Sequence, residues 1–306
     1  MKKVIGLGEV LWDCLPEGRK LGGAPANFAY HAQVQGCESH VVSAIGNDAL
    51  GEEIMDQLNG KALNLAIAAT EHPTGTVRVT LSGDGIPSYD ICRGVAWDNI
   101  PWSDQLNDLA KSADAVCFGS LAQRSEVSRQ TILRFLDTMP ANSLRIFDIN
   151  LRQEFFSADI IHESFRRANI VKINDDEWDM VKPMMGLTPA IENHQDVSKP
   201  ERYTEEWFEG IDKLIDRYGW KMLILTCGTN GSYVFTADGK RTFQPTPKVE
   251  VVDTVGAGDS FTGSFVGSLL CGKSVEEAHA KAVKVSAFVC TQAGPMPDLP
   301  EELING

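Results

Sequence analysis

One stretch near the C-terminal end of the chain combines a carboxylate with small residues at the start of a helical pattern. Residues 253–261 read DTVGAGDSF, and apolar residues then recur every three or four positions. The backbone amides of Gly256, Ala257 and Gly258 are therefore expected at a helix N-terminus, which attracts anions. Asp259 falls in the same first turn. A carboxylate beside an anion site suits phosphoryl transfer, in which one group accepts a hydroxyl proton and N–H donors stabilise the phosphoryl oxygens. The stretch is equally compatible with a plain loop–helix junction, where an aspartate is favoured by the positive end of the helix dipole.

A second stretch matches the phosphate-loop pattern GxxxxGK[ST] at residues 267–274, GSLLCGKS. That chemistry requires a strand, a glycine loop and a helix in this order. Here Gly267 lies within the apolar face of the preceding helical pattern, and Gly272 stands where a helix C-cap is expected. Ser274 and Glu277 form the S-x-x-E capping box of the next helix. Because capping explains every position, we reject a phosphate-loop function for this stretch.

Polar or glycine-rich clusters follow several predicted strands. They are Asp13, GGAPAN at 22–27, DINLR at 148–152, NDDE at 174–177 and TCGTNG at 226–231. Open parallel sheets bind ligands outside the carboxyl ends of their strands, so these clusters are candidates for one site. Each also has a structural alternative, such as a tight strand–helix connection or an N-cap. Asn174 and Glu177 have two interpretations. They form a helix capping box, or they help to bind the hydrated magnesium ion of a nucleotide.

Short apolar runs alternate with helical patterns along the chain. We predict strands at 3–8, 40–45, 114–119, 144–149, 169–173 and 221–226, and helices at 24–34, 48–59, 125–138, 158–168, 205–218, 256–271 and 274–293. This alternation predicts an α/β fold with a doubly wound, mostly parallel sheet and helices on both faces. Residues 74–94 interrupt it with a hairpin pattern, which is interpreted as a flap over a crevice or as an extra edge hairpin. Residues 187–204 are predicted to be a surface loop.

Composition limits the class of protein. The chain has 306 residues and a net charge of −14, so it lacks the basic surface that a general nucleic-acid binder needs. Its seven cysteines are scattered and never spaced as CxxC, which argues against a zinc site or a disulfide framework. No apolar run approaches the length of a membrane span. We therefore expect a cytoplasmic protein.

The order of the motifs resembles that of the ribokinase-like (PfkB) carbohydrate kinases over essentially the whole chain. GGAPAN, DINLR, NDDE, TCGTNG and DTVGAGD carry this resemblance. Within the family the chain is most similar to fructokinases, through TGTV at 74–77, PSY at 87–89, VAWD at 95–98 and FGSLAQR at 118–124. The resemblance implies one doubly wound α/β domain over residues 1–306. It also implies a small β lid, contributed by about 74–98 and by the segment near 11–20.

The resemblance also implies roles for individual residues. Asp259 would be the catalytic base, and the anion hole would be formed by Gly256, Ala257 and Gly258. The sugar would be contacted by Asp13, Gly22, Gly23, Asn27, Arg124 and Asn150. ATP and its phosphates would be contacted by Lys172, Asn174, Glu177, Thr226, Gly228 and Gly231, with Glu177 acting on magnesium indirectly. Asp253 and Thr254 match positions where family members often hold a monovalent cation, usually potassium.

The function expected from this resemblance is ATP-dependent transfer of the γ-phosphoryl group to a hydroxymethyl group of a ketohexose. D-Fructose giving fructose 6-phosphate is the first expectation, with 2-keto-3-deoxygluconate or ribose as alternative substrates. A sugar-binding regulator of the same fold is the alternative from another class, although a binder has no need of Asp259 and an intact anion hole. The expected cofactors are ATP, Mg²⁺ and, as an open question, K⁺. The expected partners are small molecules, with a homodimer as an open possibility.

Overall fold

Two separate sheets organise the chain in the computed structural model, which describes residues 1–15, 18–81, 87–187 and 203–305. The large sheet has nine strands, in the spatial order β13 (Arg241–Gln244), β12 (Ser232–Thr236), β11 (Met222–Thr226), β10 (Ile170–Asn174), β9 (Leu144–Asp148), β8 (Ala115–Phe118), β1 (Lys3–Leu7), β4 (Glu38–Gly46) and β5 (Asn64–Thr70). Pairing is parallel from β11 to β5 and antiparallel for β12 and β13. All six predicted strands are present, each within two residues of its predicted bounds.

Successive residues of the central strands enter different hydrophobic clusters on the two faces of the large sheet. Val4 belongs to one cluster and Ile5 to the other, and Ile146 and Phe147 divide in the same way. Because both faces are buried, the strands read as continuous apolar runs rather than as alternating ones. The prediction of a mostly parallel sheet covered on both faces is confirmed.

Eleven α-helices lie in the described part of the chain. They are α1 (Ala24–Val34), α2 (Ala49–Gly60), α3 (Asp104–Ser112), α4 (Glu126–Thr138), α5 (Ala158–Arg167), α6 (Asp175–Met184), α7 (Glu205–Phe208), α8 (Ile211–Tyr218), α9 (Ala257–Leu270), α10 (Val275–Val289) and α11 (Glu301–Asn305). The predicted helix over 205–218 is two helices, because Gly210 has a φ of 98° and begins α8. None of the described helices has the length and apolar character needed to span a membrane.

Helix α9 packs closely against α1, and two glycines allow this. A Cβ on Gly263 would lie 2.5 Å from the carbonyl oxygen of Phe28, and one on Gly267 would lie 2.8 Å from Cβ of Gln35. Both glycines therefore serve helix packing. The contact brings the N-terminal turns of α1 and α9 to the same edge of the large sheet.

The second sheet has four strands, in the order β3 (Gly18–Gly22), β2 (Leu11–Leu15), β6 (Thr76–Leu81) and β7 (Pro87–Ile91). Strands β6 and β7 form the hairpin that the sequence predicts at 74–94, although its connection at 82–86 lies outside the described residues. The segment near 11–20 contributes β2 and β3 to this sheet, and its role as part of a lid stays a prediction. Of the surface loop predicted at 187–204, residues 188–202 also lie outside the described part of the chain.

Candidate active site

Three of the predicted site residues, Asn27, Asn150 and Asp259, lie where the strand order of the large sheet reverses. From β1 the chain adds β4 on one side and later returns to place β8 on the other, and open α/β sheets bind ligands at such a switch point. A small cavity lies here, with a volume of about 10 Å³. It is lined by Glu9, Ala24, Pro25, Phe28, Cys117, Phe118, Gly119, Asp148, Asn150 and Asp259. Residues from β1, α1, β8, β9 and α9 thus meet at one point.

Asp259 lies at the bottom of this crevice, in the first turn of α9. Its Oδ2 accepts a hydrogen bond of 2.8 Å from Nδ2 of Asn27. Burial and the nearby Asp148 carboxylate raise the pKa of Asp259 to about 6, while Asn27, Lys172 and Arg152 oppose the rise. Its carboxylate is therefore ionised at pH 7, yet close enough to neutrality to accept a proton efficiently.

Asn27 orients Asp259 through this hydrogen bond. The sequence around Asn27 did not indicate the contact. It lies in the first turn of α1, is 2% exposed, and its Oδ1 has no partner among the described residues. The turn before it requires glycine, since Gly23 has a φ of 119° and a Cβ there would lie 2.5 Å from the carbonyl oxygen of Glu9. The GGAPAN motif therefore fixes α1 against the end of β1. A direct sugar contact by Asn27 stays a prediction.

The N-terminus of α9 provides backbone N–H donors beside Asp259. In the described chain no hydrogen bond engages the amides of Gly256 and Gly258, whereas the amide of Ala257 donates to the carbonyl oxygen of Thr254 at 3.3 Å. The anion hole of Gly256, Ala257 and Gly258 stays a prediction, and the preceding turn already uses the donor of Ala257. Two amides and the helix dipole remain available to an anion.

A buried cation lies directly beside this helix terminus. Lys172 is 6% exposed, and a Cβ on Gly258 would lie 3.0 Å from its Nζ. Nζ donates to Oδ1 of Asp148 at 3.1 Å, and Thr262 donates to Oδ2 of the same carboxylate at 3.2 Å. Burial opposes the charge of Lys172, but the carboxylates of Asp148, Glu177 and Asp259 outweigh it and raise its pKa. The ammonium group therefore stays charged next to the candidate anion hole.

Asn174 and Glu177 form the predicted capping box of α6. Oε2 of Glu177 accepts from the amide of Asn174 at 2.9 Å, and Oδ1 of Asn174 accepts from the amide of Glu177 at 2.8 Å. Oε1 of Glu177 accepts from the amide of Leu151 at 2.9 Å, which ties the DINLR loop to α6. Burial raises the pKa of Glu177.

Across the described ranges no three His, Cys, Asp or Glu side chains form a metal-binding group. Direct coordination of magnesium by Glu177 would displace backbone donors, so the residues fit an indirect role through water.

Arg124 is engaged differently from its predicted sugar contact. Its Nε and Nη2 donate to the two carboxylate oxygens of Asp98 at 2.8 and 2.9 Å, and Nη2 also donates to the carbonyl oxygen of Cys92. The guanidinium stacks between Trp97 and Phe155, at 4.0 and 4.6 Å from their ring centroids. This bidentate, stacked arrangement anchors the end of β7 to the large sheet. A sugar contact by Arg124 stays a prediction.

Asp13 and Asp253 lie where the small sheet meets the loop before α9. Asp13 packs over Gly22, where a Cβ would lie 2.5 Å from its Oδ2, and burial raises the pKa of Asp13. Oδ2 of Asp253 accepts from Nζ of Lys20 on β3 at 3.0 Å, and Oδ1 accepts from the amide of Val255 at 3.0 Å. The Lys20 pair was missed because the two residues are 233 positions apart. The binding of a monovalent cation by Asp253 and by the exposed Thr254 stays a prediction.

The TCGTNG motif forms the turn between β11 and β12. Gly231 has a φ of 99°, and a Cβ there would lie 2.6 Å from the carbonyl oxygen of Gln244, so close strand pairing explains this glycine. Gly228 has a φ of 52°, and a Cβ added there would meet no atom of the described ranges within 4 Å. Thr226 is half-buried at the end of β11. The positions suit the edge of a crevice, while contact with a nucleotide stays a prediction.

The stretch 267–274 ends one helix and begins the next. The amide of Lys273 donates to the carbonyl oxygen of Ser268 at 3.1 Å, Gly272 has a φ of 91°, and both hydrogen bonds of the Ser274–Glu277 capping box are present. The capping interpretation is confirmed. Lys273 follows α9 at the end opposite to Asp259, about 20 Å away at 1.5 Å per residue.

We therefore expect Lys273→Ala to leave catalysis nearly unchanged, because its ammonium group is remote from the anion hole. Steady-state measurement should give a kcat/KM for ATP within about twofold of wild type, in line with surface substitutions away from sites. Circular dichroism would verify the fold of the variant. A hundredfold loss in a folded variant would restore the phosphate-loop interpretation.

Comparisons with known proteins agree with this architecture. Residues 18–302 match the pfkB family carbohydrate kinase domain. The chain is 28% identical to fructokinase-2 of Oryza sativa subsp. japonica, over 99% of this chain and 94% of that protein. It is 27% identical to an ATP-dependent 6-phosphofructokinase of Thermoanaerobacterium thermosaccharolyticum, over 97% and 91%. The crystal structure of a fructokinase with bound ATP from Xylella fastidiosa superposes with a TM-score of 0.80 at 18% identity, covering 96% of this chain and 94% of that one. This chain belongs to the PfkB family of carbohydrate kinases.

Proposed function

We propose that this protein transfers the γ-phosphoryl group of ATP to the hydroxymethyl group of a ketohexose, with D-fructose as the preferred acceptor. The observation that carries the proposal is the pairing of Asp259 with Asn27 at the N-terminus of α9. A carboxylate held in one orientation beside free N–H donors has the two functions that phosphoryl transfer needs. The preference for fructose is supported by the fructokinase relative and by the PSY, VAWD and FGSLAQR stretches.

In the proposed mechanism Asp259 removes the proton of the acceptor hydroxyl as its oxygen bonds to phosphorus. ADP leaves as the bond from phosphorus to the bridging oxygen breaks. The amides of Gly256 and Gly258 stabilise charge on the phosphoryl oxygens, and the dipole of α9 acts in the same direction. Lys172 adds a fixed positive charge beside Gly258, while Asp148 keeps its ammonium group in place.

Magnesium bound to the nucleotide would neutralise phosphate charge. Asn174 and Glu177 would hold it through water, since the carboxylate oxygens of Glu177 already accept backbone amides. Thr226, Gly228 and Gly231 would line the nucleotide site at the end of β11. Potassium near Asp253 and Thr254 stays an open part of the proposal, because Lys20 already places a positive charge on Asp253.

The sugar would lie between the large sheet and the small sheet, which acts as the lid. Asn150 after β9 lines the cavity, and Oδ1 of Asn27 has no partner among the described residues. Asp13 on β2 would contact the sugar from the side of the lid. Gly22 and Gly23 would let the backbone approach the sugar closely. The lid would exclude water from the phosphoryl group and so prevent wasteful hydrolysis of ATP.

We also propose a cytoplasmic location. All seven cysteines lie in the described part of the chain and none of them is in a disulfide, which suits a reducing compartment. A homodimer is a possible assembly, and size-exclusion chromatography with light scattering would measure it.

An assay of ADP release against a panel of acceptors tests the function. The panel contains fructose, tagatose, ribose and 2-keto-3-deoxygluconate, and it includes fructose 6-phosphate because of the phosphofructokinase relative. We expect the highest kcat/KM for fructose. An acceptor that exceeds fructose tenfold would reject the fructose assignment and retain the kinase. Absence of turnover with every acceptor, in protein that binds sugar, would favour the non-catalytic regulator.

Asp13→Ala should impair use of the sugar far more than use of ATP. A hydrogen bond to an ionised carboxylate contributes about 1.5–3 kcal/mol, which corresponds to a loss of about 10- to 150-fold in kcat/KM for the sugar. KM for ATP should stay within about twofold, as for residues away from a binding site. The matched control is Asp90→Ala, which removes an exposed aspartate from β7 of the same sheet. Equal losses for sugar and ATP would contradict the assignment of Asp13 to the sugar.

A further inference from the structure

The segment between α10 and α11 passes directly beside the N-terminus of α9. We call residues 294–298 the C-terminal strap. Its Pro295 packs on Gly256, the residue that precedes α9. A Cβ on Gly256 would lie 2.3 Å from Cβ of Pro295, 2.9 Å from its Cα and 3.4 Å from its carbonyl oxygen. The position of the C-terminal strap therefore limits where the first turn of α9 can lie.

His31 of α1 donates a hydrogen bond to the same carbonyl group of Pro295. Its Nε2 lies 2.8 Å from the carbonyl oxygen. A carbonyl oxygen only accepts hydrogen bonds, so Nε2 carries the ring proton. Burial lowers the pKa of His31 to about 4, so the ring is neutral at pH 7 and has this one N–H. The single donor of the ring therefore serves the C-terminal strap.

The packing around His31 does not by itself require a histidine. The residue is fully buried, and α9 packs on its Cβ, since a Cβ on Gly263 would lie 2.8 Å from that atom. Nδ1 of the ring has no hydrogen-bond partner among the described residues. Burial of an unpaired polar atom is costly, so an apolar side chain would suit the contact between the two helices better. What an apolar side chain cannot provide is the hydrogen bond to Pro295.

Two further hydrogen bonds fasten the C-terminal strap on either side of Pro295. The amide of Gly294 donates to Oδ2 of Asp253 at 3.3 Å. The hydroxyl group of Tyr30 donates to the carbonyl oxygen of Pro297 at 2.8 Å. Of these three hydrogen bonds, the one from His31 is made to the residue that packs on Gly256.

Helix α1 also orients the candidate base on α9. Asn27 precedes His31 by four residues, so the two side chains lie on the same face of α1. Asn27 donates to Oδ2 of Asp259 at 2.8 Å. One face of α1 thus reaches the first turn of α9 in two ways, directly at the carboxylate of Asp259 and through the C-terminal strap at Gly256.

We propose that His31 is a positioning residue, whose hydrogen bond to Pro295 holds the C-terminal strap against Gly256 and so fixes the backbone amides at the N-terminus of α9. The inference rests on the proposed kinase function, in which these amides stabilise the transferred phosphoryl group. Donors stabilise the charge of a transition state best when they are held in place before the reaction. Loss of the His31 hydrogen bond should therefore lower kcat more than it changes KM for the sugar.

His31→Leu and His31→Gln separate the hydrogen bond from the space that the ring fills. Leucine has no donor, and kcat should fall about tenfold or more, up to the roughly 10²- to 10³-fold that removal of one anion-hole donor costs. Glutamine places an N–H near the position of Nε2, so kcat should stay within about threefold of wild type. KM for the sugar should stay within about twofold in both variants, because sugar binding in the ground state is unaffected.

Tyr30→Phe is the matched control. It removes a hydrogen bond of the same length, 2.8 Å, from the same strap, but at Pro297 rather than at the residue that packs on Gly256. Thermal unfolding should show a lower melting temperature for both Tyr30→Phe and His31→Leu, whereas kcat of Tyr30→Phe should stay within about twofold of wild type. An equal loss of kcat in the two variants would mean that any loosening of the strap has this effect, and it would overturn the role of His31.

Pro295→Gly tests the same link from the strap, and it remains informative if His31→Leu does not fold. This substitution removes the Cβ that packs on Gly256 and keeps the carbonyl oxygen that accepts from His31. We expect kcat to fall with KM for the sugar unchanged, as in His31→Leu. Wild-type kcat in folded Pro295→Gly would overturn the inference.

The amide resonances of Gly256 and Gly258 provide a readout that does not depend on activity. In protein labelled with ¹⁵N-glycine, both resonances should shift in His31→Leu and in Pro295→Gly, and should stay near their wild-type positions in His31→Gln and Tyr30→Phe. Unshifted resonances in folded Pro295→Gly would overturn the inference. If the resonances shift as expected but the wild type phosphorylates no acceptor, the kinase function fails, while the positioning of these amides by His31 stands.

Discussion

Asp259→Asn is expected to lower kcat by about 10²- to 10⁴-fold, the range typical of a general base. Asparagine has almost the same shape as aspartate, but its amide cannot take the proton of the acceptor hydroxyl. The N–H donors of α9 and Lys172 remain, so residual turnover from charge stabilisation is expected. Sugar binding without ATP, measured by calorimetry, should be largely retained.

The stability of this variant separates catalysis from folding. Folding raises the pKa of Asp259 from 3.8 to about 6, so the wild-type carboxylate destabilises the fold increasingly as pH rises through that window. Asp259→Asn should therefore unfold at the same or a higher temperature than wild type at pH 7.5. A large loss of activity without loss of stability is the signature of a site residue.

The pH profile of the wild type provides a second test. Protonation of Asp259 removes the base, so kcat/KM for the sugar should fall as pH decreases through about 6. The acid limb should disappear in Asp259→Asn. Asp212→Asn, an exposed residue of α8, is the control and should keep the wild-type profile. Turnover of Asp259→Asn within threefold of wild type would exclude Asp259 as the base.

The parts of the fold that depend on local sequence were predictable. The six buried strands are continuous apolar runs, and the capping boxes of α6 and α10 depend on residues only three positions apart. The small sheet was only partly predictable, because β2 is five residues long and pairs with β6, more than 60 positions away along the chain. The interruption between α7 and α8 was missed because helical periodicity continues across Gly210, whose positive φ ends it.

The predicted site residues come together at one edge of the sheet, but their mutual contacts were beyond sequence reasoning. Asn27 and Asp259 are 232 positions apart, and no local pattern indicates that an amide will orient the base. Arg124 is held by Asp98 and two aromatic rings, which depends on how β7 meets the large sheet. Nothing in the sequence indicated that Glu9 lines the cavity, since a glutamate after a strand is ordinary and its burial is seen only in the structure.

Gly256→Ala is expected to lower kcat by about 10²-fold or more, because it displaces the donors of the anion hole, and removal of a single such donor costs about 10²- to 10³-fold. Gly256 has a φ of 77°, and a Cβ on it would lie 2.3 Å from Cβ and 2.9 Å from Cα of Pro295. Such approaches force the backbone to move. This turn carries the amides of Gly256 and Gly258 and the carboxylate of Asp259. A shift of the turn would therefore move all three groups.

Gly272→Ala is the matched control at the other end of the same helix. Gly272 also has a positive φ, 91°, but no atom of the described residues lies within 4 Å of the position of its Cβ. Both variants therefore carry the strain of a side chain in the left-handed region, about 1–2 kcal/mol, and only Gly256→Ala adds the collision with Pro295. We expect Gly272→Ala to lose stability while keeping kcat within about twofold, since the helix C-terminus is remote from the chemistry. The kcat values of the two variants, each corrected for the folded fraction, therefore differ only by the effect of displacing the donors of the anion hole. If Gly256→Ala retained kcat within threefold, the phosphoryl group would have to be stabilised elsewhere than at the N-terminus of α9.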